Sequence, residues 1–218
     1  MNYTDLSDAI QAYTENTEAN FIAEIPVFVQ QAEQRIYNTV QFPSLRKNVT
    51  GATTTNNKYL ACPQDFLAVY SMAIIDGTGA YEYLLNKDVN FIRQAYPQPT
   101  DTALPRYYAL FGAQSNDPNE LSFILGPTPD ASYGVELHYY YYPQSIVTAG
   151  TSWLGDNFDS VLLYGSLVEA YTYMKGEQDM MALYNGKYQE ALGLAKRLGD
   201  GMERQDAYRS GQYRQAVT

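Results

Sequence analysis

The sequence predicts an α+β protein, a helical bundle formed by the N- and C-terminal helices with an inserted β-rich lobe. Three observations predict it. Apolar residues recur at helical spacing near both ends of the chain. Between them Thr, Val and Tyr, punctuated by Gly and Pro, replace that spacing. Neither end alone carries enough apolar stripe to be stable, so the two are expected to share one core. The expected organisation is a discontinuous bundle of residues 1–43 plus 150–198, a β-rich lobe with a short helix over 44–149, and a C-terminal arm over 199–218.

Leu6, Ala9, Ile10 and Tyr13 predict a first helix from Asp5 to Tyr13, with Thr4 as N-cap. A polar joint, TENTEAN, follows. A stronger helix is expected from about Pro26, a residue suited to a first turn because its missing N–H is not needed there. Its stripe is Val29, Ala32, Ile36 and Val40, with Glu33 and Arg35 off that line, and Phe42-Pro43 closes it. Strands are expected at Asn48–Thr54, Lys58–Ala61, Phe66–Ile75, Arg106–Phe111, Leu121–Leu125 and Gly134–Tyr142. Asn56-Asn57 would turn a hairpin between the first two. In the last strand Val135, Leu137, Tyr139 and Tyr141 share one face, and Glu136, His138, Tyr140 and Tyr142 the other. Asn86 would cap a short helix, KDVNFIRQAY. Helical spacing returns from Phe158 to Met174 and from Gln178 to Leu198, and the short link at Gly176 sets these two helices antiparallel. The remainder, with three glycines and scattered hydrophobes, reads as an arm that is mobile when the protein is alone.

Composition narrows the function classes. The 22 tyrosines outnumber the 14 Lys and Arg, and tyrosine gives rigid contact area with a polar handle, which suits interfaces. The formal charge of −10 opposes adventitious nucleic-acid binding. It is unevenly spread: residues 1–34 hold acids and no Lys or Arg, residues 35–60 the reverse. No membrane-length apolar segment is visible, and MNYTDLSDAI lacks a signal-peptide pattern. Cys62 is the single cysteine, so no internal disulfide is expected.

Catalytic and metal patterns are not evident, and no enzyme activity, metal or cofactor is expected. His138 is the single histidine and sits in a Tyr-rich strand, where a packed, hydrogen-bonded role is the simpler one. Phosphate-loop and dinucleotide glycine patterns are absent. GDNFDS (155–160) departs from a calcium loop, and Asp156 or Asn157 reads better as a helix cap. Ser166 falls within a helical stripe, away from any strand-to-helix elbow. Carboxylate pairs such as Glu24 with Glu33, or Asp156 with Asp159, have no feature that selects them.

The order of segments resembles the head-to-tail adaptor proteins of tailed bacteriophages, also described as head-completion or portal-attached connector proteins. The resemblance runs over most of 20–195. It is carried by IPVFVQQAEQRI (25–36), CPQDFL (62–67), LPRYYALFG (104–112), ILGPTPDASYGVELHYYYYP (124–143) and DSVLLYGSLVEAYTYMKGEQDM (159–180). Cys62 stands where such proteins commonly have Leu. The resemblance implies a structural virion protein at the head–tail junction, assembled in the host cytoplasm. It implies a ring, usually a homo-dodecamer, between the portal protein and a downstream tail or nozzle protein, with DNA passing through and no membrane contact. In that setting the interface candidates are Tyr139, Tyr140, Tyr141 and Tyr142 in the lobe, Glu33 and Arg35 for lateral pairing, and Arg204, Tyr208, Arg209, Tyr213 and Arg214 on the arm. The competing readings are a glycan-binding virion module and a glycan hydrolase.

Overall fold

The computed structural model describes residues 1–112 and 121–203. The fold is α+β, with helices from both ends of the chain and a β-rich middle. Two compact units divide it: Met1–Leu45 together with the chain from Tyr142 onward, and Arg46–Tyr141.

In the first unit, α1 (Tyr3–Thr14), α2 (Ala19–Thr39) and the later helices pack around α6 (Asp159–Met174). That helix buries Val161, Leu162, Leu163, Leu167 and Ala170 on several sides, as an all-round apolar helix must. The short helices α4 (Ile146–Ala149) and α5 (Trp153–Asn157) lead into it, and Lys175–Glu177 turn the chain into α7 (Gln178–Glu203). Tyr184, Tyr188, Leu192 and Ala195 form the buried face of α7. Tyr184 packs against Tyr171, Tyr13 and Tyr164, and burial pushes its hydroxyl up to about 12. Phe42, Trp153 and Phe158 stack at one end of the bundle, with ring centroids 5.0–5.6 Å apart. Among the described residues, no helix is long and apolar enough to cross a membrane.

Several expectations for this unit need correction. The N-cap of α1 is Asn2, whose Oδ1 accepts the Asp5 N–H at 2.9 Å while Asp5 reaches back to the Asn2 N–H. Thr4 is already helical. α2 starts at Ala19, so Pro26 lies inside it. Burial of Phe21 and Ile25 holds the extra turns together despite the backbone bond that Pro26 cannot donate. Glu33 is only 3% exposed and faces the interior, not off the stripe as the spacing suggested. The cap position of α6 is Phe158, with no side-chain hydrogen bond, whereas Asp156 and Asn157 belong to α5. α7 runs beyond Leu198 to Glu203, into the stretch expected to be an arm; residues 204–218 lie outside the described residues.

The second unit is two facing sheets and one helix. Its strands are β1 (Arg46–Ala52), β2 (Tyr59–Ala61), β3 (Ala68–Ile75), β4 (Tyr81–Tyr83), β5 (Leu85–Asn86), β6 (Tyr107–Phe111), β7 (Ser122–Gly126) and β8 (Gly134–Tyr140). The first sheet has the order β1-β8-β3-β4, the second β2-β7-β6-β5. Phe66, Met72, Ile74, Phe123, Leu125 and Leu137 are members of one buried cluster, with Phe66 edge-on to Phe123. Period two is plain in β8, where Val135, Leu137 and Tyr139 are buried and the residues between them are half-buried. α3 (Val89–Ala95) covers β6 and β7 through Ile92, Ala109 and Ile124.

Here too the structure departs from expectation. Asn56 is in the left-handed conformation and does turn the chain, but no hairpin results. β1 pairs with β8 and β2 with β7, in different sheets. The N-cap of α3 is Asp88, which accepts the Asn90 N–H at 2.7 Å, and Asn86 belongs to β5. Neither β4 nor β5 was expected; β4 is three residues folded back on β3 through the turn at Asp76–Ala80, and β5 is two residues paired with β6 about twenty residues further on.

Candidate functional surfaces

On the lobe, the outer face of the first sheet gathers aromatic and charged groups. The Arg46 guanidinium lies 4.6 Å from the Tyr70 ring centroid and 5.6 Å from that of Tyr140. Tyr70 reaches this position beside a β-bulge between Val69 and Ser71. The Asn48 amide donates to Glu136 at 2.8 Å, and His138 Nδ1 lies 3.3 Å from the Ser71 hydroxyl. His138 is thus a packed strand residue. Where β1 begins, on the other face, Lys47 donates to Asp65 at 2.7 Å and lies over the Tyr141 ring. The Tyr139 hydroxyl donates to the same carboxylate at 2.8 Å. Burial opposes ionisation of Asp65, yet the hydrogen bonds from Lys47 and Tyr139 outweigh it and hold its pKa below the usual value.

Of the four consecutive tyrosines, Tyr139 is therefore core, Tyr140 lies on the exposed face and Tyr141 sits against Lys47. Tyr142 belongs to the helical unit, where its hydroxyl donates to Asn38 and its ring lies near Tyr37. The Glu33 carboxylate accepts the Ile146 N–H at 2.9 Å and so fixes the first turn of α4. Burial pushes the Glu33 pKa up, with the bonds from Ile146 and Ser145 partly opposing it. The guanidinium of Arg35 pairs with Glu169 on α6. Glu33 and Arg35 thus each have a partner within one copy. Arg204, Tyr208, Arg209, Tyr213 and Arg214 lie outside the described residues.

Sequence reasoning missed Arg46, Asp65, Tyr70 and Glu169. The bulge that turns Tyr70 outward has no local signature, and Asp65 meets its partners only after folding.

Two hollows on the lobe measure about 620 and 780 Å³. Tyr96, Asp101 and Arg106 help line the first, Lys87, Asp88 and Arg93 the second, and among the described residues neither brings Ser, Cys or His beside a carboxylate. Among the described residues no three His, Cys, Asp or Glu converge as a metal ion requires. The polar groups described above hold strands and helix ends in place, while aromatic rings and charges are left at the surface. The chain belongs to the SU10 adaptor protein family, whose model matches residues 1–215. No curated protein matches it.

Proposed function

We propose that this protein is the head-to-tail adaptor of a tailed bacteriophage. It forms a ring beneath the portal, joins the capsid to the downstream tail or nozzle protein, and leaves a channel through which DNA passes. The observation that carries this reading is membership of an adaptor family over nearly the whole chain. The acidic balance of the chain supports it, because a DNA conduit works best with few phosphate-neutralising side chains. The ring is a homo-dodecamer at the head–tail junction of the virion, assembled in the host cytoplasm. Closed rotational symmetry passes the portal's geometry to the next ring, and many modest contacts per copy make the collar strong. The work is mechanical and non-enzymatic.

Within this reading, Tyr140 and Tyr142 serve contacts between copies, and Arg35 adds a lateral charge beside its bond to Glu169. The segment after Glu203 contains Arg204, Arg209 and Arg214 at five-residue spacing with Tyr208 and Tyr213 between them. It docks on an acidic portal surface through charge-assisted hydrogen bonds. A tagged portal co-expressed with the full chain should retain it on an affinity column, and removal of residues 204–218 should release it. Equal retention of the truncated chain would rule out the arm as the portal contact; no retention of the full chain would remove the adaptor reading.

A further inference from the structure

Among the described residues the first sheet of the lobe is open at both ends. β1 is an end strand seven residues long, exposed everywhere except half-buried Arg46; β4, the other end strand, is exposed at all three positions. Open edges are templates for further pairing unless proline, a bulge or charge blunts them. β1 pairs with β8 along its whole length without a bulge and contains no proline, and its two charges are engaged within the copy, Arg46 over the Tyr70 and Tyr140 rings and Lys47 with Asp65. Every pairing in the order β1-β8-β3-β4 is antiparallel, so the two end strands run in opposite directions. A second copy set alongside by rotation therefore presents β4 antiparallel to β1.

The backbone fixes the phase of such a pairing. The Thr53 N–H bonds the Tyr133 carbonyl, and continuing this alternation turns the backbone groups of Gly51, Val49 and Lys47 toward β8. Those of Arg46, Asn48 and Thr50 then point outward. At the other end Leu84 N–H bonds Met72 O and Asp76 N–H bonds Ala80 O, which turns Glu82 toward β3 and Tyr81 and Tyr83 outward. The outward groups of the two edges can form hydrogen-bonded pairs with Arg46 opposite Tyr83 and Asn48 opposite Tyr81. Lys47 then faces Glu82.

Side-chain chemistry favours the same register. Tyr83 lies opposite Ala73, Ala73 opposite Glu136 and Glu136 opposite Thr50, so Tyr81 and Tyr83 share a face with Arg46. Tyr81 is 53% exposed and Tyr83 69%, and either ring from a neighbour would extend the stack of Tyr70, Arg46 and Tyr140. On the opposite face Lys47 meets Glu82. No like charge opposes that pair: residues 35–60 contain no acid, and Glu82 is the one charge in residues 77–86.

We infer that β4 of one copy pairs with β1 of the next in this register, joining the first sheets of neighbouring copies head to tail. Two different edges meeting is a heterologous contact, the kind that closes a ring. The inference rests on the ring proposed above.

The test is disulfide trapping in the full chain, in a Cys62→Ala background carrying Asn48→Cys and Tyr81→Cys. Directly opposed strand residues have Cα atoms about 5.5 Å apart, within disulfide reach. Collars assembled on co-expressed portal would be viewed by negative-stain microscopy, then oxidised and run without reductant. The expected result is a ladder in steps of 24.6 kDa, with each single-cysteine variant remaining at the monomer position. Adding Glu82→Lys should lower the cross-linked yield about twofold to fivefold. Intact collars that give no ladder would overturn the inference and leave the ring reading standing. So would dimers from Asn48→Cys alone, which signal β1 against β1, or a cross-link to the portal or a tail protein. Absence of collars from the unmodified protein would sink the ring reading, and this inference with it.

Discussion

Replacing Glu33 probes how the helical unit holds the start of α4. Its carboxylate is buried and accepts the Ile146 N–H at 2.9 Å. Glu33→Ala leaves that N–H without its acceptor, which costs about 1–3 kcal/mol for a buried donor. For a protein of this size each kcal/mol is about 2–4 °C in Tm, so a mid-range loss of about 2 kcal/mol lowers Tm by about 4–8 °C. Glu33→Gln keeps a carbonyl acceptor and removes the charge, and should cost much less. The two variants also separate in pH. Burial raises the folded-state pKa of Glu33 above its ordinary value of 4.5, so the folded protein binds this proton more tightly than the unfolded chain. Stability from this group is complete below about 4.5 and declines as pH rises through the raised folded pKa. Above that window the cost of a buried carboxylate is constant. Glu33→Gln should flatten this part of the profile. The assay is calorimetric unfolding of the free protein between pH 4 and 8. Were Glu33→Gln as damaging as Glu33→Ala, or Glu33→Ala without effect on Tm, the bond to Ile146 would not be what holds α4.

Other perturbations test separate parts of the structure. Arg35→Ala should change stability by less than about 1 kcal/mol, since a solvent-exposed ion pair is worth little, and 0.5 M salt should erase the difference in urea unfolding. Tyr139→Phe removes the hydroxyl bonded to Asp65 and should cost about 1.5–3 kcal/mol, measured by denaturant unfolding. Asp65 has a lowered folded pKa, so its stabilisation is present above its ordinary value of 3.8 and is lost as pH falls through the folded value. Asp65→Asn should accordingly lose stability at neutral pH and show a shallower acid limb in a circular dichroism titration. At Gly155 an added Cβ would lie 2.6 Å from the Met1 carbonyl and 2.8 Å from the Ile146 side chain. Gly155→Ala should therefore destabilise by about 1–3 kcal/mol and speed amide exchange at the start of α1.

Legibility in the sequence followed the range of the interactions. The α+β class, the stripe of α2, the helical character of α6 and α7, and the alternation of β8 were readable because period is a local property of the chain. The start of α2 was misplaced because Pro26 suits a first turn, and only tertiary burial of Phe21 and Ile25 reveals the helix before it. The hairpin at Asn56-Asn57 was misread because partner choice is long-range: Asn48 pairs with His138, and Tyr59 with Ile124. β5 consists of two residues in parallel pairing with β6, which leaves no periodic trace. On the surfaces, the run of tyrosines was visible, but the division of labour among them was not. By parity Tyr139 became core and Tyr140 fell, half-buried, on the outer face, whereas Tyr142 passed to the other unit. Asp65 was visible only within the CPQDFL segment, its partners being distant in sequence, and Tyr70 owes its position to a bulge with no local signature.

The central claim is that the protein forms a closed collar on a portal. Electron cryomicroscopy of the portal purified with this chain tests it most directly. The account predicts an added ring with the portal's rotational symmetry, one copy per portal subunit and an open axial channel. Bare portal rings beside a folded, unattached protein, or copies bound without closure, would contradict it.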